Sequence, residues 1–214
     1  MAEHSRQYSV RLRGELACFA RPELKTERVS YSIPTPSALR GVLEAILWKP
    51  AVRWCVDELQ LLRPIRYLQF RRNEVTSRAS DRVANLQRDY YADEDRAQRN
   101  TIALRDVDYA VTAHMELTAR RGAEDSVRKF EEMFERRMEK GQYVTPPVFG
   151  CREFPAIVEP YRGDPAALDH DEDFGWMLHD IRFGAENTPV FFHAVMRGGR
   201  LAVPPFPEKG DVAS

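Results

Sequence analysis

Hydrophobic and polar side chains alternate at the start of the chain. Tyr8, Val10, Leu12, Gly14 and Leu16 fall on one side and Gln7, Ser9, Arg11, Arg13 and Glu15 on the other. A period of two predicts a half-buried strand, and its polar side is basic. Residues 20–35 lose any period while carrying Arg21, Lys25 and Arg28; this predicts a loop, long for a compact domain and of the kind that is functional or mobile. From Thr35 the period changes. Leu39, Val42, Leu43, Ile46 and Leu47 recur at helical spacing behind a capping Thr35 and a Pro36 at the first helical position, and Pro50 stops the run. Val52, Trp54, Val56, Leu59, Leu61, Ile65 and Leu68 then predict strand structure, broken at Pro64 and continuing towards Val75 as a long hairpin.

Residues 76–100 are polar and almost featureless, with Arg78, Arg82, Arg88, Arg96 and Arg99 among aspartates, and predict a loop or insertion that orders on binding. Alternation returns over 106–118. Val107, Tyr109, Val111, Ala113, Met115 and Leu117 face one way, and Asp108, Ala110, Thr112, His114 and Glu116 the other. A second helix is predicted over 125–140, with Val127, Phe130, Phe134 and Met138 on its buried stripe and Gly141 at its stop. With a last strand in 148–158 the order is βαββαβ, an α+β class of ferredoxin-like, RNA-recognition-motif-like topology. Apolar runs at 174–183 and 189–196, and a Gly198-Gly199 turn into 201–203, predict a small antiparallel β-rich C-terminal part. The expected division is 1–145 for the first unit and 146–214 for the appendage.

Composition changes this picture in one respect. The 214 residues carry 32 basic and 33 acidic side chains, a net charge of −1, which on its face argues against a nucleic-acid partner. The total is a cancellation: residues 1–90 hold 16 basic and 10 acidic residues (+6), and residues 91–214 hold 16 and 23 (−7). Of the basic residues 27 are arginine, the side chain suited to gripping phosphate, although a GC-rich genome gives the same bias. The length is sufficient for a core without staples. Cys18, Cys55 and Cys151 are odd in number and far apart, which suggests neither a disulfide framework nor a CxxC metal site and fits a reducing compartment. With no signal-peptide pattern and no run of about 18 apolar residues, the chain reads as a soluble, cytoplasmic protein with no membrane partner.

The chemistry-bearing residues are few. His114 sits mid-strand opposite the apolar side chains, either as a proton-transfer residue or as a sheet histidine held by a backbone partner. His179-Asp180 has no companion ligands, and the run from His170 to Asp173 reads as a solvated acidic loop. No GxSxG, HExxH, P-loop or GxGxxG is present, which removes the common hydrolase, metalloprotease and nucleotide-binding readings. Arg63, Arg66, Arg71 and Arg72 surround a predicted hairpin with Tyr67 and Phe70 interleaved. Basic residues beside stacking aromatics suit single-stranded RNA, and a solvated strand face is the competing reading.

Specific strings go further. Phe19-Ala20-Arg21-Pro22-Glu23-Leu24-Lys25, Glu27-Arg28-Val29-Ser30-Tyr31, Pro34-Thr35-Pro36-Ser37-Ala38, Gly41-Val42-Leu43-Glu44-Ala45-Ile46 and Trp48-Lys49-Pro50 occur in that order. Arg71-Arg72-Asn73-Glu74-Val75, Asp106-Val107-Asp108-Tyr109, Ala113-His114 and Gly150-Cys151-Arg152-Glu153-Phe154-Pro155 follow. Together, over roughly residues 8–203, they resemble the d-subtype of the fifth CRISPR-associated protein family, from type I-C systems. The resemblance implies a metal-independent endoribonuclease, with no cofactor, that cuts precursor CRISPR RNA in the repeat hairpin by attack of the RNA's own 2′-hydroxyl. It further implies that the protein stays on the 5′ handle of the mature RNA beside other subunits of the interference complex, and that duplex DNA is a possible further ligand. A purely RNA-capping, non-catalytic subunit is the alternative. The family's catalytic tyrosine and lysine fall at Leu47 and Thr112, neither of which can do their work, whereas its histidine falls at His114. Lys49 or an arginine of the 20–31 loop is the expected substitute cation. Arg21, Lys25, Arg28, Tyr31, Arg40, Trp48, Arg71 and Arg72 are the expected RNA contacts.

Overall fold

In the computed structural model the alternating segment Tyr8–Ala17 forms β1, flanked by two neighbours in one mixed sheet. The structure describes residues 3–24, 26–76, 91, 93, 95–184 and 186–207. In chain order there follow β2 (Arg28–Val29), α1 (Pro36–Ile46), β3 (Val52–Leu61), β4 (Tyr67–Val75), β5 (Arg96–Leu117), α2 (Val127–Glu139), β6 (Ile157–Pro160), β7 (Glu172–Arg182), β8 (Thr188–Met196) and β9 (Arg200–Ala202). The main sheet runs β6-β1-β5-β3-β9, with every neighbouring pair antiparallel. β4 pairs antiparallel with the first half of β5, and the short β2 pairs parallel with the same half. β7 and β8 form a separate two-stranded sheet. The class is therefore α+β, a mostly antiparallel sheet with two helices among the described residues.

Both helices lie on one face of the sheet for the reason their sequences gave. Thr35 accepts the Ala38 backbone N–H at 3.2 Å and Pro36 opens α1, whose Leu39, Val42, Leu43 and Ile46 are buried. Ser126 caps α2, which buries Phe130 and Phe134. Tyr8, Trp54 and Phe134 pack edge to face, with centroids 4.8–6.3 Å apart, and the Trp54 indole N–H donates to the Leu47 carbonyl at 3.0 Å. The indole thus buries its ring without losing its one polar bond.

Four expectations need correction. The long hairpin over 52–75 does not form, because β3 and β4 each pair with β5 and not with each other. β5 begins at Arg96, ten residues before the alternation becomes visible, because Arg96–Asn100 pairs with β4 through the backbone and neither strand buries an apolar face there; the insertion reading for residues 77–90 lies outside the described residues. The segment 20–35 is partly ordered as strand: Arg21 N–H donates to Val29 and Tyr31 N–H to Phe19, bringing residues 19–21 against 29–31. The last strand is only Ile157–Pro160, preceded by an isolated bridge between Val148 and Pro155.

Two strands of the main sheet are irregular. In β5, Asp106 has a left-handed φ of 54°, a conformation aspartate tolerates, and beyond it Val107, Tyr109, Val111, Ala113 and Met115 are buried. In β3 the register slips between Val56 and Glu58. Buried residues switch there from Val52 and Trp54 to Leu59 and Leu61, and the extra residue in the bulge is Asp57.

Candidate active site

The face of the sheet turned away from the helices is polar. β1 supplies Ser9, Arg11 and Arg13, β3 supplies Arg53, Cys55 and Glu58, and β5 supplies Asp108, Thr112, His114 and Glu116, as the pairings Arg13↔Asp108, Ser9↔Thr112 and Cys55↔His114 require. The bulge aims Asp57 at His114: both carboxylate oxygens reach Nδ1, at 2.9 and 3.0 Å. A bulge that re-aims a side chain in this way is common beside active sites. Because an ionised carboxylate only accepts, the neutral imidazole that this contact selects has its proton on Nδ1 and its lone pair on Nε2.

Around this dyad the charges are ordered. His114 Nε2 lies 3.7 Å from Glu116 Oε1, while the other oxygen of Glu116 takes Arg53 at 2.5 Å. Burial works against the Glu116 charge, but Arg53 outweighs it and holds this carboxyl below its ordinary value. Burial, aided by Glu116, pushes the Cys55 thiol up to about 12, so it is protonated at neutral pH. Gln7 donates to Asp57 at 3.1 Å, and the His4 ring meets His114 edge-on at 5.9 Å. Further along the face, Arg11 makes a two-pronged pair with the buried Asp108 at 2.9 and 2.7 Å. The dyad can accept a proton at Nε2 and hold the resulting imidazolium between two carboxylates, with guanidinium groups nearby for an anion.

The expected residues are scattered rather than gathered. Leu47 is fully buried under α1 and Thr112 shares a 3.3 Å contact with Ser9. Lys49 is exposed and lines a cavity with Pro50, Ala51, Arg120, Asp125 and Lys129 that does not include His114. Arg40 is clamped between Asp180, at 2.8 and 3.0 Å, and Glu44, fastening α1 to β7. Tyr31 is buried in the core with Arg21 lying 4.6 Å over its ring, so its faces are not open to a base. Arg28 bonds Glu74 at 3.0 Å and Glu153 at 3.1 Å, and Arg72 joins the same two carboxylates. Arg71 is exposed on β4 and donates to Gln98 at 3.4 Å, and Trp48 is 54% exposed. Lys25 lies outside the described residues.

Asp57 and Arg53 were missed by the sequence reading. A usable signal existed: Val52, Trp54 and Val56 are apolar at even positions, Leu59 and Leu61 at odd ones, and such a change of phase within one strand marks a bulge.

Comparison with known proteins gives consistent matches. The family model of Cas5d, described as a CRISPR-associated protein, matches residues 8–204. The chain is 43% identical over 210 residues to the CRISPR pre-crRNA endoribonuclease Cas5d of Mannheimia succiniciproducens, covering 90% of this chain and 92% of that one. It is 41% identical over 214 residues to the protein of the same name from Thermus thermophilus, covering 91% and 90%. A crystal structure of a CRISPR-associated protein aligns over 95% of this chain and 94% of its own, with a TM-score of 0.73 at 23% identity. A functionally uncharacterized protein from Streptococcus mutans aligns over the same shares with a TM-score of 0.71, also at 23% identity.

Proposed function

The chain belongs to the Cas5d family of CRISPR-associated proteins, and from that premise we propose that it is a precursor-CRISPR-RNA endoribonuclease whose cleaving centre is the polar sheet face around His114. The observation that carries this reading is the Asp57–His114 dyad, with both carboxylate oxygens on Nδ1 and Nε2 left as the base. In the reaction Nε2 takes the proton of a 2′-hydroxyl, that oxygen attacks the adjacent phosphorus, and the bond to the 5′-oxygen breaks. The products are a 2′,3′-cyclic phosphate and, once the leaving oxygen is protonated, a 5′-hydroxyl. Asp57 and Glu116 stabilise the imidazolium, and Arg53, paired with Glu116, supplies a cation beside the dyad. No step calls for a metal.

On this reading Lys49 contacts the RNA backbone away from the scissile phosphate. Arg71 and Trp48 are contacts open to RNA as they stand; Arg21, Arg28, Arg40 and Arg72 line its path, the paired ones by exchanging a carboxylate for phosphate, Tyr31 supports Arg21 from beneath, and Lys25 is a further backbone contact. After cutting, the protein stays on the 5′ handle among the other subunits of a type I-C complex in the cytoplasm, with duplex DNA as a further ligand. The order β6-β1-β5-β3 with two helices on one face supports a ferredoxin-like core. The division near residue 145 is then one of role, because β6 and β9 from the C-terminal part extend the sheet of the first. No helix among the described residues is long and apolar enough to cross a membrane.

Incubation with the cognate repeat hairpin in EDTA is expected to give one cut with a cyclic-phosphate end and a 5′-hydroxyl. Tight binding with no cut contradicts the reading and leaves the RNA-capping role, which the inert Leu47 and Thr112 favour.

A further inference from the structure

We propose that Cys55, His114 and Glu116 form a binding site for zinc or a chemically similar divalent cation on the polar face of the sheet. Their ligand atoms all lie within 4.8 Å of one another. The register brings this about: Cys55 stands directly opposite His114 on the neighbouring strand, and Glu116 follows His114 by two residues on the same face. A tetrahedral zinc with bonds of about 2.0–2.3 Å needs its ligand atoms about 3.5 Å apart. All three side chains are only half-buried, so small rotations close the remaining gap.

Two of the three ligands already have the outer partners that zinc sites use. Asp57 holds His114 at Nδ1 and leaves Nε2 for a metal, the carboxylate–histidine arrangement that fixes the tautomer and raises the basicity of the ligand. Arg53 holds Glu116 through Oε2 and leaves Oε1, the oxygen 3.7 Å from Nε2. A sulfur, an imidazole nitrogen and a single carboxylate suit zinc, whereas magnesium and calcium prefer oxygen shells. Three protein ligands leave a fourth position for water. As the metal–sulfur bond forms, the Cys55 thiol proton passes to solvent, and no oxidation or reduction occurs. Bound zinc occupies the Nε2 lone pair and so silences cleavage; that consequence rests on the function proposed above, and the site itself does not.

The test is a titration of the full chain with Co²⁺, followed by visible and near-ultraviolet absorption. The wild type is expected to develop tetrahedral cobalt bands and a thiolate-to-cobalt band saturating at one equivalent, all erased by Zn²⁺. Cys55→Ser is expected to lose the thiolate band and bind at least about ten-fold more weakly, and Asp57→Asn to keep the band with affinity about 10–100-fold lower. No thiolate band in the wild type, or an undiminished one in Cys55→Ser, overturns the site. In a parallel cleavage assay Cys55→Ser cuts in EDTA and resists zinc inhibition. Cobalt binding without any inhibition of wild-type cutting supports the site and removes His114 from the cleavage mechanism, so the two failures are separable.

Discussion

Asp108 is 2% exposed, and both its oxygens are taken by Arg11. Removing a buried carboxylate strands its cation, which is costly even where the intact pair contributes little. Asp108→Ala is therefore expected to lower stability by about 3 kcal/mol, the lower end of the usual range because Arg11 keeps some contact with water. A urea midpoint that moves by less than the equivalent of about 1 kcal/mol contradicts this. Asp108 and His114 were legible from alternation alone as lying on the face opposite Val107, Tyr109, Val111, Ala113 and Met115. Asp57 was not, because a side chain in a bulge obeys neither face, and the same insertion that hid it from the pattern delivers it to His114. Tyr31, expected as an RNA contact, is buried among apolar neighbours with Arg21 as its cover.

At the level of elements, caps and helical periods located α1 and α2 to within a residue or two, because those signals are local. The polar start of β5 was invisible for a physical reason: the ladder to β4 is made of backbone bonds, and neither strand has a buried face to impose alternation there. The close approach between the end of β1 and the segment after Val148 was equally hidden. Gly150 has φ of 79°, and a Cβ at that position would stand 2.0 Å from the Cys18 carbonyl oxygen, while Cys18 N–H donates to Phe149 at 3.1 Å. Gly150→Ala must push two backbones apart and strain its own, so its expected cost is at least about 2 kcal/mol, read as a fall in the thermal midpoint. A variant that melts with the wild type contradicts the packing described for this junction.

Among the described residues, part of the split of +6 and −7 is taken up by ion pairs between the two parts. Arg6, Arg13, Arg28 with Arg72, and Arg40 in the first part meet Glu135, Glu159, Glu153 and Asp180 from the second. The count of charges was readable from the sequence, but which charges meet depends on strand order, and that is a property of the fold. The ordered strings carried the family, and the family carries the reaction; the chain's own geometry adds the Asp57–His114 dyad that stands where the expected tyrosine and lysine do not. The most direct test is the single-turnover cleavage rate of His114→Ala on the cognate repeat hairpin, with RNA affinity measured in parallel. A rate lower by at least about 100-fold, the usual weight of a general base, with affinity unchanged is the predicted result, and cleavage at the wild-type rate at equal affinity would contradict it.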